Sequence, residues 1–131
     1  MKNKVCIVLS TYNGDTTEKL LLSAKTELRN LGIKKIDVIK VPGAFEVPVT
    51  ISKLIKKYDA FIAIACIIKG ETANFDLISK SITDAIMNLS INEKKPIGNS
   101  ILTLFNKNQA LNRYDRGKEA VKAIVEVLKI K

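Results

Sequence analysis

The chain has 131 residues, enough for one compact domain burying roughly two thirds of its unfolded surface and too few for two, so residues 1–131 are read as a single domain. A 47% hydrophobic share, 27% charged residues and the lack of repeats or low-complexity tracts exclude disordered, fibrous and solenoid classes. The net charge of +9 rests on scattered lysines with no aromatics interleaved, which disfavours nucleic acid and fits attraction for small anionic metabolites.

In chain order, the first apolar run is Lys4 to Leu9, read as a strand. Cys6 within it, like Cys66 further on, reads as a small buried hydrophobe. The run is too short for a signal-peptide core. No apolar stretch approaches the roughly 20 residues of a membrane span. With no histidine and no paired cysteines, a metal site lacks soft ligands. The expectation is a cytoplasmic protein with no metal and no membrane partner.

Asp15 to Leu31 then carries Leu20, Leu21, Ala24, Leu28 and Leu31 on one helical stripe, with Gly32 as its terminator. Ile36 to Val41 is a second strand. Ala44 to Lys57 is a second helix, with Pro48 tolerated in its first turn. Ala60 to Ile68 is a third strand and Phe75 to Ile91 a third helix. Ser100 to Leu104 is a fourth strand, followed by a short turn at Gln109 to Asn112 and a last helix over Gly117 to Ile130. The strands are continuous apolar runs, as expected where both faces are covered. The alternation predicts an α/β protein: a three-layer α/β/α sandwich around a four-stranded parallel sheet. Ligands of such sheets bind beyond the strands' carboxyl ends.

Those ends are STYNGD (Ser10 to Asp15), VPGAFE (Val41 to Glu46), KGETANFD (Lys69 to Asp76) and the stretch after Leu104. Gly70-Glu71-Thr72 leads towards a helix N-terminus, which can hold an anion, while Thr72 or Asn74 can equally serve as a helix cap. It matches neither GxxxxGK[ST] nor GxGxxG, against an ordinary triphosphate or dinucleotide site. Gly43 is expected to let the backbone turn. Glu46 can accept two sugar hydroxyls or stabilise a first helical turn. Tyr12 can cover a flat heterocycle or pack at a sheet edge. Arg113 and Arg116, clustered in NRYDRGKEA, form either a bidentate anion site or solvated surface charge.

VPGAFEVP, IIKGETANFD, KPIGNSILT and NQALNR, in this order and spacing, resemble the 6,7-dimethyl-8-ribityllumazine synthase family over nearly the whole chain. The resemblance implies a flavodoxin-like fold. It also implies a transferase of riboflavin biosynthesis joining 5-amino-6-(D-ribitylamino)uracil to 3,4-dihydroxy-2-butanone 4-phosphate without metal or redox cofactor. It implies that Tyr12 stacks on the pyrimidine beside Asn13, and that Ala44, Phe45 and Glu46 hold the ribityl chain and ring. Ile67 and Ile68 would line the pyrimidine side. Gly70, Glu71 and Thr72 would offer backbone and hydroxyl donors to the butanone phosphate, completed by Arg113. Asn99 and the arginine segment would come from a neighbouring copy, in a homo-oligomer built from pentamers. Asn99 stands where many members carry phenylalanine, and Arg116 falls near a substrate-binding lysine.

The main departure is Asn74, where the family usually has a proton-shuttling histidine. Asparagine orients groups by hydrogen bonds but does not titrate near neutral pH. The substrate's phosphate or a water held by Asn74 is then expected to replace the imidazole. The competing functions are a non-catalytic lumazine or flavin-binding shell, the homologous archaeal-type riboflavin synthase activity, and an FMN carrier, the last disfavoured because the first loop lacks a dense run of hydroxyls and glycines.

Overall fold

The computed structural model describes residues 1–71 and 73–131. Strands and helices alternate as β1 (Lys4–Ser10), α1 (Gly14–Asn30), β2 (Lys35–Val41), α2 (Val47–Leu54), β3 (Ala60–Ile68), α3 (Phe75–Glu93), β4 (Ile97–Leu104) and α4 (Arg116–Leu128). Short 3-10 turns at Ala44–Glu46, Lys69–Glu71 and Lys107–Asn112 follow β2, β3 and β4. All strand pairs are parallel, in the order β2-β1-β3-β4. Ile7 lies level with Val38 and Ile62, and Ala63 with Asn99. This is the expected three-layer, flavodoxin-like α/β/α sandwich.

The period-2 geometry of a strand sends alternate side chains to opposite layers. Val5, Ile7 and Leu9 of β1, with Ile62, Ile64, Cys66 and Ile68 of β3, face α1 and α4 through Leu20, Leu28, Val121 and Ile124. Cys6 and Val8, with Phe61, Ala63, Ala65 and Ile67, face α2 and α3 through Val47, Ile51, Ile82 and Ile86. Central β3 is buried at every position, which explains its unbroken run AFIAIACII. Edge strand β2, by contrast, mixes Lys35, Asp37 and Lys40 with its apolar residues and is only partly covered.

Several boundaries differ from the sequence expectation for physical reasons. The second helix begins at Val47, because Ala44–Glu46 forms a tighter 3-10 turn, and it ends at Leu54. Pro48 lies in its first turn, where its missing N–H breaks no helical bond. β4 starts at Ile97, three residues early, although Gly98 is a poor strand former. Gly98 is kept by space: a Cβ there would sit 2.8 Å from the Ala120 carbonyl oxygen and 2.7 Å from Ile62 Cδ1. Gly32 does end α1. Its φ of 85° turns the chain back so that the Ile33 N–H reaches the Leu28 carbonyl at 2.9 Å, beside its own N–H donating to Arg29 at 3.0 Å, with Leu28 and Ile33 both buried. Among the described residues, no helix is long and apolar enough to cross a membrane.

Candidate active site

The order β2-β1-β3-β4 places the ends of β1, β2 and β3 side by side, and a cleft of about 240 Å³ opens there. Its walls are Tyr12, Gly43, Ala44, Phe45, Cys66, Ile67, Ile68, Glu71 and Ile78. The expected residues Tyr12, Ala44, Phe45, Ile67, Ile68 and Glu71 are thus brought together from segments far apart in sequence. Tyr12 and Phe45 are 56% and 69% exposed, so two aromatic rings stand unburied at the cleft although each is large enough to bury in a core.

Asn13 holds the floor. It sits just before α1 in the left-handed region, φ 56° and ψ 45°, a conformation that asparagine adopts more readily than most residues. Its carbonyl accepts from the N–H groups of Thr16 and Thr17 at 3.0 and 3.1 Å. Its side-chain nitrogen donates to the Cys66 carbonyl and to Glu71 Oε1, each at 3.0 Å. One amide therefore ties the end of β3 to the carboxylate on the following turn.

Gly43 serves differently from the expectation. Its backbone is extended, φ −140° and ψ 171°, so no turn requires glycine; a Cβ would instead stand 3.0 Å from Glu46 Oε1. The bare α-carbon leaves room for the Glu46 carboxylate to lie back along the loop. Glu46 is half-buried and is not part of the cleft wall. Gly70 is exposed on the turn after β3. Thr72 lies outside the described residues. Asn74 is exposed at the residue preceding α3, and its side chain makes no capping hydrogen bond to that helix, although its carbonyl accepts from Ile78 at 2.9 Å.

The remaining expected residues lie elsewhere. Of the cleft residues, Ile67, Ala44 and Ile78 belong to the α2/α3 side of the sheet, and Cys66 and Ile68 to the α1/α4 side. The arginine segment packs on the α1/α4 side, where Tyr114 adjoins the core, Lys19 sits 4.9 Å over the Tyr114 ring, and the Lys118 N–H donates to Ser23 Oγ at 2.9 Å. Arg113 is exposed there, and Arg116 Nε donates to the Asn99 carbonyl at 3.0 Å. Asn99 borders a different groove of about 560 Å³ between β4, the end of α3 and α4.

Two features escaped sequence reasoning. Cys66 lines the cleft as well as the core; burial, then Glu71 and Asp15, push its thiol up to about 11, so it stays protonated at neutral pH. Lys107 pairs with Asp15 at 2.6 Å, which lowers the Asp15 carboxyl and raises the Lys107 ammonium, chiefly through their mutual hydrogen bond. Neither has a local signal, since each depends on which strand ends become neighbours. Among the described residues, no three His, Cys, Asp or Glu side chains cluster as metal ligands.

Chemically, the cleft offers apolar walls, two aromatic rings and one pinned carboxylate, with no cation among its described wall residues. It suits a flat, donor-rich heterocycle far better than a phosphate. Fold and cleft together define a class: an open parallel α/β protein with a small-molecule cavity at the carboxyl ends of its strands.

The sequence profile of 6,7-dimethyl-8-ribityllumazine synthase matches residues 2–131, and the chain belongs to that family. The protein of this name from Leptothrix cholodnii is 40% identical over 129 residues, covering 95% of this chain and 84% of the relative. The one from Albidiferax ferrireducens is 38% identical, covering 96% of this chain and 83% of the relative. A crystal structure of a fragment described as a lipoprotein, from Peptoclostridium difficile 630, superposes with a TM-score of 0.51. It covers 98% of this chain and all of that one, and at 17% identity the likeness concerns the fold alone.

Proposed function

We propose that this chain catalyses the condensation of 5-amino-6-(D-ribitylamino)uracil with 3,4-dihydroxy-2-butanone 4-phosphate, releasing phosphate and water, in the penultimate step of riboflavin biosynthesis. The observation that carries this is the family match across residues 2–131, two of whose distinctive segments, VPGAFEVP and IIKGETANFD, supply walls of the cleft. Tyr12 stacks on the pyrimidine against Ile67 and Ile68. Ala44, Phe45 and Glu46 take the ribityl chain, and Asn13 fixes the floor.

The phosphate needs cations that the cleft wall lacks. Arg113 and Arg116 supply them from a neighbouring copy, together with Asn99, in an oligomer built from pentamers. The support is geometric: none of the three is among the described wall residues of the cleft on its own chain, and Arg116 is engaged with the Asn99 carbonyl. Gly70 and Thr72 offer further donors to the same phosphate.

Asn74 replaces the family's histidine, and the site works mainly by positioning. Holding two reactants in attack geometry lowers a barrier by about 7 to 11 kcal/mol, against roughly 3 to 5 for one general acid or base. The test is lumazine absorbance on mixing the purified chain with both substrates, beside Asn74→His and a no-enzyme control. Turnover well above the uncatalysed condensation is expected. No excess rate, with tight product binding and activity appearing only in Asn74→His, would make the chain a binding shell.

A further inference from the structure

Glu71 carries the only carboxylate among the described residues of the cleft wall, and it is not left to wander. The turn that bears it follows directly from β3, and Asn13 grips Oε1 at 3.0 Å. Asn13 is itself fixed at three points: the Cys66 carbonyl and the N–H groups of Thr16 and Thr17. An ionised carboxylate has about four acceptor positions, so the bond to Asn13 leaves it able to accept from a bound amine.

The groups around it leave that task to Glu71. From β3, the Cys66 thiol stays protonated. From α1 and the turn after β4, Asp15 and Lys107 are engaged with each other at 2.6 Å, and Lys107 also attracts Glu71. From the first loop, Tyr12 contributes its ring. A cleft with a fixed hydrogen-bond acceptor and no cation in its described wall suits the amine half of the reaction better than the phosphate half.

Resting on the proposed activity, we infer that the Glu71 carboxylate, positioned by Asn13, carries protons for the attacking amine in this histidine-free site. The amine lone pair forms a C–N bond to the carbonyl carbon, and the C=O π pair moves to oxygen. Glu71 takes one proton from the nitrogen and delivers it to that oxygen. It then carries the second, so that the oxygen leaves as water while the nitrogen lone pair closes the C=N bond. Both amine protons end in the water, and the carboxylate is regenerated.

Glu71→Gln keeps the shape and the bond to an amide partner but removes the base. Its kcat should fall by about 10²-fold or more, with KM for both substrates within about threefold and product binding, read by lumazine fluorescence, retained. Asn13→Ala should lower kcat less, and by a smaller factor in the Glu71→Gln background than in the parent, since the part of its effect that acts through Glu71 is already lost there. A Glu71→Gln chain within about threefold of the parent kcat, or one whose kcat falls only in step with lost product binding, overturns the inference. An unmodified chain with no turnover would instead refute the proposed activity, so the two failures are distinguishable.

Discussion

The cleft at the ends of β1, β2 and β3 and the arginine-bearing region beside β4 are built from the same sheet yet carry opposite chemistry. The first gathers apolar walls, aromatic rings and the Glu71 carboxylate. The second holds Arg116, whose Nε donates to the Asn99 carbonyl, with exposed Arg113 three residues before it, while Lys94 and Lys95 line the groove that Asn99 and Gly98 border. A reaction between a neutral, amine-bearing heterocycle and a phosphorylated ketone needs both sets. Within one chain, neither arginine is among the described residues of the cleft wall.

The largest expected effect that sharpens this contrast is Arg113→Ala. Removing a charge-assisted phosphate contact should lower kcat/KM for the phosphorylated substrate by about 10²-fold and leave KM for the pyrimidine nearly unchanged. Steady-state kinetics varying each substrate in turn would separate the two. Equal damage to both KM values would merge the regions that the account keeps apart.

Next is Gly117→Ala, which attacks the mount of the arginine region without touching a ligand. A Cβ there would stand 2.3 Å from the Leu20 carbonyl oxygen and 3.0 Å from the Ala24 nitrogen, so α4 must move off α1. A loss of about 3 kcal/mol in urea unfolding is expected, by overpacking against backbone that cannot yield. Unchanged stability would show that α4 is not seated as described.

Tyr12→Ala probes the other region. Losing the exposed ring should raise KM for the pyrimidine about tenfold and leave the phosphorylated substrate's KM alone. The smallest effect belongs to Asp15→Asn. Lys107 holds the Asp15 carboxyl below its ordinary 3.8, so the pair contributes stability above that pH and loses it as pH falls through the lowered value. Parent and variant unfolding curves should therefore run parallel at neutral pH and converge in acid. Because the pair is solvent-exposed, the gap should be small.

Much of this was legible in the sequence. The unbroken run of β3 announces a strand covered on both faces, and the stripe ending at Gly32 announces α1 and its stop. The four loop segments place the chemistry at the strand ends before any coordinate is known. What could not be read is contact between distant loops. Asn13 and Glu71 meet only because β1 and β3 are neighbours, and no periodicity encodes that adjacency. Gly117 reads in the sequence only as the start of the last helix and Gly98 only as part of KPIGNSILT, whereas in the fold they are sites of close approach to α1 and α4 respectively. Gly43 illustrates the same limit: glycine can be required by φ or by room, and the sequence does not distinguish them.

Complementation decides whether the site is completed between copies. Tyr12→Ala/Phe45→Ala, damaged in the cleft, would be unfolded and refolded together with Arg113→Ala, damaged in the arginine region, and lumazine formation followed. The account predicts activity in the mixture well above that of either variant refolded alone, because some sites pair an intact cleft with an intact arginine. A mixture no more active than the two variants separately would contradict it.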